Sequence, residues 1–428
     1  MTARLNYGKT FLLGFGFFGV SVIWGVYNAF VPIFLADKFD LSPVFIGFFM
    51  TLDNIAALFI QPPVGAWSDR LRSKWGRRIP FILIGAPITA FAFGLIPTAA
   101  ILPLFVACTS TTLLSAALWR TPVVALMPDI TPSHYRSQAN GVINFMGGIG
   151  TIIALQTGGV LYKISPNFPF WLGSVLVIIA ALIVFFFIEE PKEYETAEAQ
   201  PGMWASLKEV VSDPDKSGLR ILSAIFFWFL GYSAVETFFT LYAKNHLGIP
   251  EGDGATLLSV FPLFFVLFAI PSGMIAARIG RRVTITIGLI TVTVTLFLLF
   301  VTPASALLTG IAPLPLVGIP LVEGGARMLT LAGVMLILGG IGWSFVNINS
   351  LPMIVDLTSA ARVGTFTGLY YLFSTFSAIV GPNVNGLAVQ LTGGNYNIVM
   401  LIAPFFMIVA MILMLGVKSG EAQAAGSQ

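Results

Sequence analysis

The sequence predicts an all-α membrane protein of twelve transmembrane helices arranged as two pseudo-symmetric six-helix bundles. Three observations carry that prediction: a low charge content, a series of long apolar runs, and two polar landmarks that recur in each half. Of the 428 residues, 57% are hydrophobic and 10% are charged. A soluble globular domain carries roughly 25% charged residues. An apolar run of about 18 residues or more is long enough to cross a bilayer as a helix. In lipid only helices and closed barrels satisfy their backbone polar groups. These runs are too long and too uniformly apolar to alternate as barrel strands do.

The first run, 10–36, follows the basic residues of MTARLNYGKT and is not followed by a small-residue cleavage site. It reads as a retained helix rather than a signal peptide. The second, 43–67, runs into GAWSDRLRSKWGRR, and 79–99 and 101–127 follow. The single cysteine, Cys108, lies inside the fourth run, reads as a small buried residue, and excludes an intrachain disulfide framework. Runs 138–162 and 169–188 complete a first half, residues 1–190. Residues 191–219 are polar and read as a cytoplasmic linker, with a short amphipathic surface helix expected near 204–211. The second half, 220–428, holds runs 220–243, 255–277, 283–302, 328–356, 363–390 and 395–417 and a short polar cytoplasmic tail. Its Pro- and Gly-rich segment 303–327 reads as an outer loop packed near the interface.

Cation placement sets the expected orientation. With both termini in the cytoplasm, the clusters Arg70–Arg78 and Arg278–Arg282 face inward, and the outside keeps Lys38, Lys163, Lys244 and Arg327. The expected location is the plasma (inner) membrane. The landmarks then align between halves. Gly65, Asp69, Arg70, Gly76, Arg77 and Arg78 mark the end of span 2; Gly273, Arg281 and Arg282 mark the end of span 8, with Ala277 where the acid would fall. Asp129 and Arg136 follow span 4; Asp356 and Arg362 follow span 10. Such duplication is the sequence mark of parallel six-helix repeats. Gly65 is expected to let helices approach closely. Asp69 is expected to face a neighbouring helix N-terminus or to pair with Arg77, Arg78 or a cation of the other half. Such a latch would form when the halves meet on the cytoplasmic side and would favour an outward-open state.

GAWSDRLRSKWGRRIPFI resembles the first-half signature of major facilitator transporters, in the form seen in sucrose–proton symporters and related bacterial and animal sugar carriers. The longer stretches IQPPVGAWSDRLRSKWGRRIPFILIG and RTPVVALMPDITPSHYRSQANGVINFMGG are similar to that branch, over residues 20–150; the second half matches it loosely. The resemblance implies a twelve-helix secondary transporter of sugars. It also implies an acid within helix 4 for proton coupling, as in plant sucrose transporters, but Leu113 stands at the matching position here. Related melibiose-type symporters use acids on helix 2.

A charge at the centre of a spanning helix costs about 2.5–3.5 kcal/mol on insertion scales, so it is read as functional by default. Three such residues stand out: Asp53, Arg120 and Glu236. Asp53 can take up and release a proton or ligate a cation; equally, it can be a structural acid bonded to backbone or Asn54. Arg120 can pair with Asp53, meet substrate hydroxyls, or reach toward Asp129. Glu236 shares a helical face with Tyr232 and Phe239. An acid flanked by rings suits a sugar, whose C–H face stacks while its hydroxyls bond carboxylates. Trp24, Tyr27, Asn28, Asn54, Asn144, Trp343, Asn347, Tyr370 and Tyr371 complete the expected substrate set, with Gln156, Ser374, Asn383 and Asn385 as further polar candidates. Each could instead serve as an interhelical hydrogen bond.

The expected function is proton-coupled symport of a sugar such as sucrose or maltose by alternating access. Sodium coupling through Asp53 and drug–proton antiport on the same fold are the alternatives. No enzyme is expected, since the sequence has no HExxH motif and no Ser–His–Asp or Cys/His set. His134 and His246 make no metal-ligand spacing. No cofactor, metal or nucleic-acid partner is expected, and the chain is expected to work in the bilayer as a monomer.

Overall fold

The computed structural model describes all residues except 1–5, 132–134, 191–202, 213, 316–317, 322–324, 358–362 and 418–428. Within described helices, the side chains of 136–137, 203–206, 209 and 363–365 are also outside the description. Among the described residues, twelve helices are long and apolar enough to cross a membrane. The first half contains α1 (Tyr7–Asp37), α2 (Pro43–Phe49), α3 (Leu52–Arg70), α4 (Ile79–Leu95), α5 (Leu102–Ile130), α6 (Arg136–Ile164) and α7 (Phe168–Phe187). A short helix α8 (Met203–Ser212) precedes α9 (Ser217–Tyr242), α10 (Glu251–Leu258), α11 (Val260–Ile279) and α12 (Arg281–Val301). After a single turn, α13 (Ala304–Leu307), the chain completes α14 (Leu331–Val355), α15 (Val363–Leu391) and α16 (Val399–Leu415).

Two spans are interrupted in a way that hydropathy does not reveal. The second crossing is α2 followed by α3, with a break at Met50–Thr51. The eighth is α10 followed by α11, with Ser259 between them. No proline stands at the first break; just past the second, Pro262 has no N–H to offer the Leu258 carbonyl. At the first, Thr51 donates its hydroxyl to the carbonyl of Phe48 at 2.7 Å; at the second, Ser259 donates to that of Thr256 at 2.6 Å. The backbone N–H of the same residue reaches that carbonyl as well, at 3.0 and 3.2 Å, so the short side chain reinforces a tightened turn at each break.

The outer-loop expectation for 303–327 gains a correction. Gly310–Pro313 (β1), Ile319–Pro320 (β2) and Arg327–Thr330 (β3) form an antiparallel three-stranded sheet in the order β1-β3-β2. Because β3 takes residues 327–330, the tenth span begins later than 328. Thr330 caps α14, accepting from the Gly333 N–H at 3.1 Å.

The chain divides into two compact units. One comprises residues 1–41, 52–196 and 249–259, and the other 42–51, 197–248 and 260–428. Helix α2 therefore belongs with the later half, where it packs on α15, and α10 with the earlier half, where it packs on α6. In the first unit α1 packs on α6 and α7, α4 on α5 and α7, and α3 on α5. In the second, α9 packs on α15 and α16, α12 on α14 and α16, and α11 on α14. Position for position, this is the same set of partners, as expected of a duplicated six-helix unit. Close approach comes from small residues. A Cβ on Gly25 of α1 would lie 2.8 Å from the Cβ of Ala154 on α6, and one on Gly19 would lie 3.0 Å from that of Ala180 on α7.

Candidate functional site

The break in the second span changes the setting of Asp53. The carboxylate does not sit mid-helix. It stands in the first turn of α3, where a helix exposes unbonded N–H groups and the positive end of its dipole. The backbone N–H groups of Asp53 and Asn54 face the carboxylate, and the Asn54 amide donates to its Oδ1 at 2.9 Å. Arg120 of α5 interacts electrostatically with the same carboxylate, as does Tyr27 of α1. Tyr27 is fully buried, and its hydroxyl has no hydrogen-bond partner among the described residues. The Trp24 ring meets that of Tyr27 edge-on at 5.8 Å. One group thus gathers Trp24, Tyr27, Asp53, Asn54 and Arg120 from three helices of the first unit. Asn28 is half-buried on α1. Asn144 is exposed, and its amide donates to the carbonyl and side chain of Asn140 at 2.8 and 3.0 Å, so it bonds along its own helix.

The second unit holds an aromatic group. The Tyr232 ring lies parallel to Trp343 at 4.3 Å and 3°. Phe229 stands edge-on to both Trp343 (5.4 Å) and Tyr370 (6.1 Å), and Tyr370 edge-on to Tyr371 (5.4 Å). Phe261, in the first turn after the break of the eighth span, packs on Tyr232 at 6.1 Å. Glu236, half-buried one turn from Tyr232, interacts with it electrostatically. Phe239, expected on the face of Glu236, is fully buried against Tyr242 at 5.8 Å and belongs to the core. Tyr370 shares a 3.0 Å hydrogen bond with Ser350, whereas Tyr371 is exposed. Asn347 is half-buried, and its carbonyl accepts from Ser350. Asn383 and Asn385 donate to the carbonyls of Ile379 and Gly381, four residues earlier. In the first unit, Gln156 accepts from Ser259 at 2.9 Å.

The charged motif closes on itself within the first unit. Arg77 Nη2 donates to Asp129 Oδ1 at 2.7 Å, and Arg78 Nε to Asp129 Oδ2 at 2.9 Å. Arg78 also donates to Asp69 Oδ1 at 2.5 Å and to the Ser68 hydroxyl. Burial works against the Arg78 charge; the hydrogen bond and charge of Asp129, and then those of Asp69, outweigh it and hold the guanidinium above its ordinary value. Asp69 thus meets its cations inside its own unit.

A residue that the motif reading missed, Glu190, completes this cluster. Its carboxylate accepts from the backbone N–H groups of Arg77 (2.8 Å), Arg78 (2.8 Å) and Ile79 (2.7 Å), the start of α4. Gly76 turns with φ +101°, and a Cβ there would lie 2.5 Å from the Glu190 carboxyl carbon. Gly76 is therefore fixed both by backbone conformation and by the approach of Glu190. Glu190 lies just past the sixth apolar run, where no motif singles it out. Its signal was an acid placed to cap a helix distant in sequence. Glu190→Gln is expected to lower unfolding stability by about 1–2 kcal/mol, because an amide accepts through one oxygen only. Thermal unfolding of the purified variant in detergent measures it.

The second copy is sparser. Arg281 pairs with Asp356 and donates to the Pro352 carbonyl at 3.2 Å; Arg282 donates to the Leu415 carbonyl at 2.7 Å. The close-packing expectation for Gly65 is corrected. A Cβ on Gly65 would meet only the Thr121 methyl at 3.6 Å, an ordinary contact, and one on Gly273 would meet nothing within 4 Å. Neither is required by close packing in its unit. Arg70 is exposed at the end of α3. Arg362 and the Arg136 side chain lie outside the described residues.

A family model described as the Major Facilitator Superfamily matches residues 13–332. The chain belongs to the Major Facilitator Superfamily. It is a multi-pass membrane protein of that superfamily. It is similar to the "Quinolone resistance protein NorA" of Staphylococcus aureus (strain MSSA476), 24% identical over 61% of this chain and 65% of that one. It is also similar to "Multidrug resistance protein 2" of Bacillus subtilis (strain 168), 25% identical over 64% and 67%. The chain thus spans about two thirds of these relatives, and their names speak of drug resistance rather than sugar uptake. In fold it resembles the crystal structure of the nucleoside transporter NupG, with TM-score 0.69, 16% identity and coverage of 97% of this chain and 100% of that one. It also resembles a bacterial homologue of the human lysosomal transporter Spinster, with TM-score 0.72, 14% identity and coverage of 99% and 100%.

Proposed function

We propose that this major facilitator transporter is a proton-coupled symporter of a sugar, seated in the plasma membrane with both termini cytoplasmic. The observation that carries the reading is Asp53, which opens the second segment of a broken span beside Arg120. Transporters with repeated bundles place substrate and coupling ions at broken helices. Arg120 and the helix N-terminus support the charged form of this carboxylate, and as an acid it can also take up a proton, which a proton carrier needs. The Tyr232–Trp343–Phe229–Tyr370 group with Glu236 supports the sugar assignment: ring faces and a carboxylate are the groups that hold a polyhydroxylated ring. The Asp69–Arg77–Arg78–Asp129 cluster is the proposed gate of the alternating-access cycle. A second reading, drug–proton antiport, is favoured by the names of the relatives in Staphylococcus and Bacillus.

The test is internal pH in weakly buffered proteoliposomes on adding single sugars, sucrose and maltose first, with and without sodium. Internal acidification without sodium supports proton symport and identifies the sugar. Sugar entry that requires sodium makes Asp53 a cation ligand. No response to any sugar, with proton release on adding a quinolone, replaces the sugar reading by the antiport one.

A further inference from the structure

Helices α3 and α4 belong to consecutive spans, and residues 71–78 alone connect them. So short a connection stays at the boundary between lipid and water. Arg72, Ser73, Lys74 and Trp75 are exposed there, as are Arg70 and Trp67 at the end of α3. The Trp75 ring lies edge-on to Phe185 at 6.3 Å, at the end of α7, so it is held at the same level as the end of another span. The Lys74 ammonium lies 4.7 Å over the Trp75 ring. Trp67 meets Phe81 edge-on at 4.9 Å, at the start of α4. Arg72 Nη1 donates to the carbonyls of Asp69 (2.7 Å) and Leu71 (2.9 Å), which holds its guanidinium against the end of α3.

Nearby acids are largely committed. Glu190 faces three backbone N–H groups, and Asp129 and Asp69 face Arg77 and Arg78. Glu189 is exposed just past the end of α7. Topology alone needs cations on this side but no tryptophan. The matching connection in the second half is Gly280 alone, with no tryptophan, and its Arg281 and Arg282 are engaged by Asp356 and the Leu415 carbonyl.

We infer that this connection binds an anionic phospholipid. Its phosphodiester is held by Arg70, Arg72 and Lys74, and its glycerol–acyl boundary lies against Trp75 and Trp67. Exposed cations beside a span attract anionic headgroups, and indole rings favour the interface. The binding is a property of this surface and is independent of what the transporter carries.

The test is native mass spectrometry of the purified full chain in detergent with equal amounts of phosphatidylglycerol and phosphatidylcholine. The expected result is preferential retention of phosphatidylglycerol, weakened by about tenfold or more in Arg70→Gln/Arg72→Gln/Lys74→Gln. Trp75→Ala, which keeps every charge, also weakens it. Equal retention of the two lipids by the unmodified protein, or unchanged preference in the triple variant, overturns the proposal. Should the triple variant not fold, Lys74→Glu alone replaces it, and unchanged preference there overturns the proposal equally. Displacement of the bound lipid by millimolar inorganic phosphate would mean that the cations read a free phosphate and would overturn the lipid assignment.

Discussion

Asp53→Asn is expected to abolish uphill accumulation of the transported solute and to preserve its downhill exchange. Asparagine keeps the size of the side chain and an oxygen to face the N–H groups at the start of α3. It cannot take up a proton, and it offers Arg120 no charge. Coupling requires that proton and solute each favour the same conformational change. With the proton term removed, the solute term survives. In proteoliposomes with an imposed proton gradient, the inside-to-outside solute ratio is expected to fall to about one, because no differential binding of the proton remains to drive it. Counterflow between preloaded and external solute is expected to persist. Asp53→Glu, which keeps the acid, is expected to restore some accumulation. Unimpaired uphill uptake by Asp53→Asn would take Asp53 out of the coupling role. Loss of both accumulation and counterflow would make Asp53 a binding or folding residue instead.

What the sequence made legible follows from what spacing and hydropathy report. The twelve spans were readable because lipid demands length and apolarity, and little else in a chain satisfies that demand by chance. The repeat was readable because Gly65–Arg78 and Gly273–Arg282 end the second span of each half, and Asp129 with Arg136 and Asp356 with Arg362 recur at the fourth. The breaks at Met50–Thr51 and Ser259 were not, since hydropathy runs through both. No proline marks the first, and Pro262 beside the second is one of several prolines within the spans. Asp53 therefore looked like a mid-helix charge, when it opens a new helical segment. The sheet of residues 310–330 was hidden because its prolines and glycines read as loop. The closeness of Tyr27 to Asp53, and of Tyr232 to Trp343, depends on packing between helices, for which the sequence offered the residue types but not the pairings. Gly65 shows the opposite failure: its place in a motif suggested tight packing that its own unit does not require.

Asp129→Ala is expected to cost more stability than any other single change in the charged motif. Asp129 is bonded by both Arg77 and Arg78, and the three side chains are 12%, 12% and 5% exposed. Removing one member of a buried ion pair leaves an uncompensated charge, at a cost of about 3–5 kcal/mol. Asp69 also touches both arginines, at 2.5 Å from Arg78 and 3.9 Å from Arg77, but its side chain is 55% exposed. Asp69→Ala leaves Arg77 and Arg78 still bonded to Asp129 and removes only a pair whose acid is already in water, so that change is expected to cost about 0–1 kcal/mol. Asp356→Ala in the second copy is expected to fall between them, since its pair with Arg281 is 31% and 23% exposed. The three variants thus form a series ordered by burial, with similar chemistry throughout. Thermal unfolding in one detergent, read side by side, measures it. The order Asp129, Asp356, Asp69 would show that the weight of this motif lies in the desolvation of its arginines. Equal losses at Asp69 and Asp129 would show that the network responds as a unit, and that exposure does not set the contribution of its members.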